Sequence, residues 1–339
     1  MLRRNTLIIA LIVVSLIPGV LPVTAQDTAG IWEQVLTDVS PPARYDHALV
    51  AASDVNKLVL FGGRDAENLG DTWVFDTEMG AWHEVTANPA PEARFSMGAT
   101  YDAVRQRVLI FGGEGAGLYN DVWAFDVNTE TWSQLPVGGN LPPARYGTSA
   151  VLDTVNDRLI ISHGFASGRF DDTHVLDLIT NTWSQVTTDV YPLARCLHEA
   201  IYNPISGSMI LYGGCSSGVG PCPQGDTWAF NAASNTWTEL NPGNNDAAPA
   251  ARSNPALIAA DNGAVWVFGG KTSSGASNDL WLLDSVTGIW TPINAVNAPA
   301  ARSSHDAAYD VTGGRIFVFG GRGDSGNMND LWAYTPHQS

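Results

Sequence analysis

Six arginines occupy the same place in a repeated four-residue text, Pro-x-Ala-Arg, at Arg44, Arg94, Arg145, Arg195, Arg252 and Arg302. Guanidinium forks repeated in this way could surround an anionic ligand, such as an acidic peptide or a carboxylated sugar. Each could instead be tied to a carboxylate of its own or the adjacent repeat, drawn from Asp71, Asp121, Asp172, Asp226, Asp279 and Asp330. A residue present in every copy serves the repeat first, and a fork with donors to spare could do both. Three and four residues beyond the arginine, the pairs His198-Glu199 and His305-Asp306 are the acid–base candidates, because the equivalent places elsewhere hold small residues such as Ala48 and Ser149. Adjacent residues on a strand point to opposite faces, so neither pair need act together.

Two further sets could carry chemistry. The third copy of the repeat has His163 where the others have Gly, and His174 where they have Trp. A hairpin reading puts those two positions opposite each other, which suggests an exchange of volume within one packed pair. Chelation of a metal by His163 and His174, with Asp171 or Asp172 nearby, is the sharper alternative, although two histidines are not a full ligand set. The three cysteines, Cys196, Cys215 and Cys222, fall within one repeat. Cys215 and Cys222 bracket a single loop and are the first-choice disulfide. Cys196 begins a strand whose antiparallel neighbour ends near Cys215, so a Cys196 to Cys215 bridge is the alternative.

The elements that hold these residues are short strands. In the first copy, Arg44 to Val50 and Lys57 to Phe61 flank a turn, Thr72 to Phe75 follows a polar loop, and a second turn leads into the strand of Trp82. The unit is therefore four antiparallel strands, recurring six times at a spacing of about 50 residues. Gly30 to Val35 matches the last segment of each later copy, whereas the sixth copy stops at Tyr334 without one. The N-terminal strand should thus complete the last unit, closing a six-bladed, all-β propeller that leaves no open sheet edge.

With Gly62-Gly63, Gly112-Gly113, Gly213-Gly214, Gly269-Gly270 and Gly320-Gly321 ending second strands, and a Trp near the end of each unit, residues 31 to 334 resemble the kelch-repeat family. The resemblance implies a propeller whose variable loops, from Arg64–Gly70 to Arg322–Asn329, share a face with the Pro-x-Ala-Arg segments and carry specificity. Arg322-Gly323-Asp324 in the last of them resembles an integrin-recognition tripeptide, which arises easily by chance. Galactose oxidase is similar in its propeller but needs a copper ligand set with no counterpart here, and the iron motif of plant specifier proteins is not found. Exported N-acetylneuraminate epimerase, also a six-bladed ring, is the nearer enzyme analogue. This supports a ligand- or protein-binding module as the expectation, with a carbohydrate-active enzyme as the alternative and no cofactor.

Composition limits the partners. The chain has 339 residues with 17 basic against 34 acidic, a formal net charge of −17. Such a balance disfavours nucleic acid and anionic membrane. Arg3 and Arg4 precede an apolar run from Leu7 to Ile17 and a Val23-Thr24-Ala25 ending, the pattern of an export signal over residues 1–25. The remainder, 26–339, reads as one propeller domain, a secreted or periplasmic monomer whose ligand is a protein or carbohydrate.

Overall fold

The computed structural model describes residues 30–243 and 247–336; the segment read as an export signal lies outside the described residues. Blade one comprises the strands Ala48–Ala52, Lys57–Phe61, Thr72–Asp76 and Ala81–Val85, hydrogen-bonded in sequence order. The innermost strands of blades two to six are Gly98–Asp102, Ser149–Asp153, Glu199–Asn203, Ala256–Ala259 and Asp306–Asp310. Blade six is completed from the other end of the chain, Ile31–Val35 pairing antiparallel with Leu331–Thr335. The chain is therefore an all-β ring of six four-stranded antiparallel blades, closed as its sequence implies; blade three adds one short outer strand, Gly138–Gly139.

Two local expectations are corrected. The first strand starts at Ala48 rather than Arg44, because Asp46 has φ +53° and turns the chain sharply before the ladder begins. Trp73 does not lie opposite Gly62. It pairs with Leu60, while the Gly62 N–H bonds the Asp71 carbonyl at 3.1 Å, so the glycine already belongs to the connection. What demands glycine there is the neighbouring blade: at φ +64°, a Cβ on Gly62 would stand 2.6 Å from the Arg94 carbonyl oxygen.

Blade faces are apolar on both sides, so each is buried against the next blade and the core is divided into six clusters, one per interface. Every cluster holds one fourth-strand tryptophan: Trp32, Trp82, Trp132, Trp183, Trp237 or Trp290. Their indole N–H groups divide into two sets. Trp132, Trp237 and Trp290 donate to Thr72, Thr173 and Thr227 of the preceding blade at 2.9, 3.2 and 3.1 Å. At the equivalent places before Trp183, Trp32 and Trp82 stand Val122, Leu280 and Leu331, and those three indole nitrogens are buried without a partner among the described residues.

Candidate functional site

All six repeat arginines lie inside the ring, 0–1% exposed. Arg44 shows the arrangement: Nε donates to Pro42 O at 3.0 Å, Nη1 to Gly62 O at 2.9 Å, and the two Nη atoms to Asp71 Oδ1 and Oδ2 at 2.7 and 2.6 Å. The same pattern joins Arg94 to Asp121, Arg145 to Asp172, Arg195 to Asp226, Arg252 to Asp279 and Arg302 to Asp330. The backbone adds a tie between blades, since each arginine carbonyl accepts the N–H of the second glycine-position residue of the blade before, as Gly63 does to Arg94 at 2.9 Å. These are braces: four of the five N–H donors of each buried fork are committed to its own blade. A third-strand tryptophan donates to the same aspartate, Trp73 Nε1 to Asp71 Oδ2 at 2.7 Å.

Two residues beyond each arginine, a second feature closes the axis. Asp46, Ser96, Gly147, Leu197, Asn254 and Ser304 all have φ between 50° and 60°. Each donates its N–H to the carbonyl of its counterpart in a neighbouring blade at 2.8–3.0 Å, so the bonds run in an unbroken circle: Ser96 to Asp46, Gly147 to Ser96, and on round to Asp46, which donates to Ser304. Beneath the circle lies a channel of about 420 Å³ between the innermost strands. Its lining includes the carboxylates of Asp46, Glu199, Asp261 and Asp306 and the rings of Tyr101, Tyr202 and Tyr309, but no Lys or Arg.

The structure brings Glu199 and Asp306 to the same level of this channel, on blades four and six. Burial pushes the Glu199 carboxyl well above its ordinary range, and the Asp306 charge pushes it further. Burial likewise raises Asp306 to about 7, against the pull of the Leu49 and Ala307 N–H groups bonded to it at 2.6 and 2.8 Å. The pair therefore keeps a proton to higher pH than ordinary carboxyls do. Their neighbours do not join them. His198 and His305 are buried between blades, and burial holds both rings well below the usual histidine range, so they stay neutral.

The outer side of the circle is the loop face. Here the residue after each repeat arginine bridges to the residue after each glycine pair: Tyr45 with Arg64, Phe95 with Glu114, Tyr146 with Phe165, Cys196 with Cys215, Ser253 with Lys271 and Ser303 with Arg322. Arg64, Lys271 and Arg322, from the contiguous blades one, five and six, are exposed and form no ion pair among the described residues. Aromatic rings support two of them. The Arg64 guanidinium lies 5.0 Å from the Phe95 ring centre, and that of Arg322 lies 4.5 Å from Tyr45.

A family profile described as the Kelch-repeats domain of KLHDC2, KLHL20 and DRC7 matches residues 25–200 and again 187–339, the whole of the described ring. The chain belongs to the kelch-repeat family. Curated relatives include Kelch domain-containing protein 10 of Rattus norvegicus, 28% identical over 201 residues, covering 54% of this chain and 47% of that protein. Acyl-CoA-binding domain-containing protein 4 of Arabidopsis thaliana is 30% identical over 203 residues, covering 57% and 30% respectively. Kelch domain-containing protein 3 of Homo sapiens is 27% identical over 200 residues, covering 54% and 50%. The matches thus span half or less of these relatives' own lengths. Kelch propellers commonly bind proteins, and among the described residues no helix is long and apolar enough to cross a membrane.

Within this kelch ring the altered third blade serves the brace. His174 lies opposite Ile161 and its Nε2 meets Asp172 Oδ2 at 3.1 Å, as a tryptophan does in the other blades. His163 keeps the positive φ of the glycine it replaces, at +58°, and its carbonyl accepts from Arg145 at 3.0 Å. Its ring packs against those of His198 and Trp237, 5.5 and 6.0 Å away between centres. His163 lies two residues beyond the place opposite His174, as Gly62 lies beyond that of Trp73, and the described residues contain no group of three side chains suited to a metal. The disulfide joins Cys215 to Cys222, leaving Cys196 free and buried.

Proposed function

We propose that this kelch propeller is a binding module that takes its partner on the loop face, with an anionic group of the partner held by Arg64, Lys271 and Arg322. The observation that carries the reading is the clustering around the axis of three exposed cations that form no direct ion pair among the described residues, although the Asp46 carboxylate feels Arg64 and Arg322, in a chain with net charge −17. Such an arc attracts and orients a carboxylate-bearing partner while the rest of the surface repels it. The loops beyond the arc, which bear Asp65, Glu67 and Asp324, supply discrimination against other anions. The partner is a protein, a reading that agrees with the common use of kelch rings.

The test is a binding screen of the purified chain on arrays of acidic peptides and sialylated glycans. Salt-sensitive binding to acidic peptides that is lost in R64A/K271A/R322A, with unchanged melting, supports the proposal. Binding that survives the triple substitution refutes it. For the carbohydrate-active alternative, the burial of Arg195 on Asp226 weighs against its use as the substrate clamp. Turnover of sialic acid anomers, abolished by Glu199→Gln, would restore it. We also propose that the protein is exported and monomeric. Mass analysis of the protein from its host, showing a chain that begins near residue 26, and sizing as one copy check both points.

A further inference from the structure

Cys196 and Cys215 face each other across an antiparallel bridge in which each backbone N–H bonds the other's carbonyl, at 3.1 and 2.9 Å. A hydrogen-bonded pair of this kind holds its Cα atoms about 5.5 Å apart, inside the span that disulfides accept. Cys215 is already bonded to Cys222, whose Cα is 4.4 Å away, while Cys196 keeps its thiol. One sulfur thus has two cysteines within bonding range. A cation accompanies it: Arg169 donates from Nη2 to Cys215 Sγ at 3.4 Å and from Nε to Cys215 O at 2.8 Å. Burial pushes the Cys196 thiol up, and Arg169 draws it part of the way back by favouring the thiolate.

We propose that Cys215 exchanges disulfide partners, from Cys222 to Cys196, and so delivers a modifiable thiol to the loop face at Cys222. In the exchange the Cys196 thiol gives up its proton and its sulfur bonds to Cys215 Sγ. The Cys215–Cys222 bond breaks, and its electron pair and a proton finish on Cys222. Nothing is oxidised or reduced overall. Cys196 is 3% exposed, whereas Cys222 is exposed, so a hidden thiol becomes an accessible one. A small disulfide such as oxidised glutathione then caps it. The Cys222 thiolate attacks one sulfur, a mixed disulfide forms at Cys222, and one glutathione thiol leaves. Exchange also removes the covalent closure of the Cys215–Cys222 loop, which Arg169 contacts at Cys215 and Ser217.

The experiment labels the native, oxidised protein with a maleimide in mildly alkaline buffer over minutes to hours and maps the label by peptide mass. Label at Cys222, with a Cys196–Cys215 disulfide in the same molecules, supports the proposal. Cys196→Ser should then reduce labelling at Cys222 to background while melting is retained, and Arg169→Gln should slow labelling. Label on Cys196 itself, or no label until the protein is denatured, overturns it. A second variant removes dependence on rate: in a glutathione redox buffer Cys222→Ser should form the Cys196–Cys215 disulfide, and two persisting free thiols would overturn the exchange.

Discussion

Substituting Val122 by Thr should stabilise the ring. Val122 is fully buried and occupies the place that Thr72 holds in blade one, where the hydroxyl accepts the Trp132 indole N–H at 2.9 Å. The Trp183 indole facing Val122 has no acceptor among the described residues. A hydroxyl in place of one methyl group gives that N–H a partner at almost unchanged volume. Satisfying the buried indole donor recovers about 1–3 kcal/mol, against about 1 kcal/mol for burying the hydroxyl and losing one methyl's apolar transfer. The expected balance is a gain of about 1 kcal/mol, or about 2 °C in Tm for a domain of this size. Urea denaturation of wild type, Val122→Thr, Trp183→Phe and the double variant measures it as a cycle. With Trp183→Phe the new hydroxyl has no donor, so the same substitution should cost stability. A coupling energy near zero, or a loss in Val122→Thr alone, would refute the assignment of the orphaned indole as the source of the deficit.

Three other outcomes follow from the same geometry. Arg94→Ala should cost about 3–5 kcal/mol in urea unfolding, because it strands Asp121 and several backbone acceptors, whereas the exposed Arg64→Ala should change stability by less than about 0.5 kcal/mol. Glu199→Gln should raise Tm above neutral pH and leave it unchanged near pH 4: burial and the Asp306 charge hold the folded Glu199 carboxyl well above its ordinary range, so it keeps a proton that the unfolded chain releases, and that contribution is lost as pH rises above the ordinary carboxylate range. His47→Met, copying Met97 of blade two, should flatten the acid side of the same profile. Burial, with Arg44, lowers folded His47 to about 3, so stability falls as pH drops below the ordinary 6.5 towards that value.

The fold was legible because its signals are side chains repeated at fixed places. A tryptophan in every fourth strand marks one interface each, and the glycine pairs mark the close approach of neighbouring backbones. The arginine brace was legible too, as a pairing of each arginine with an aspartate of its own or the adjacent copy; the structure selects the own copy. The axial circle was not. Asp46, Ser96, Leu197 and Ser304 do not repeat one side chain, because the bonds that place them are made by backbone groups, and only Asp46, Gly147 and Asn254 hint at the left-handed conformation. The loop-face cations escaped for a different reason. Arg64, Lys271 and Arg322 vary among copies at the position after the glycine pair, and attention to what repeats passes over what does not.

The axial circle also restricts how this architecture can change over generations. Duplicating or deleting one repeat is a simple genetic event, and the stacking of blades by itself would tolerate it. The circle resists it, since each of its six members sits at one narrow setting of the backbone, fitted to a circle of six. A seventh member would have to widen the loop and retilt every amide, and a fifth-only ring would crowd the Glu199 and Asp306 carboxylates together. Lineages descended from this chain should therefore diversify through loop sequence and loop length, keeping the number of copies constant.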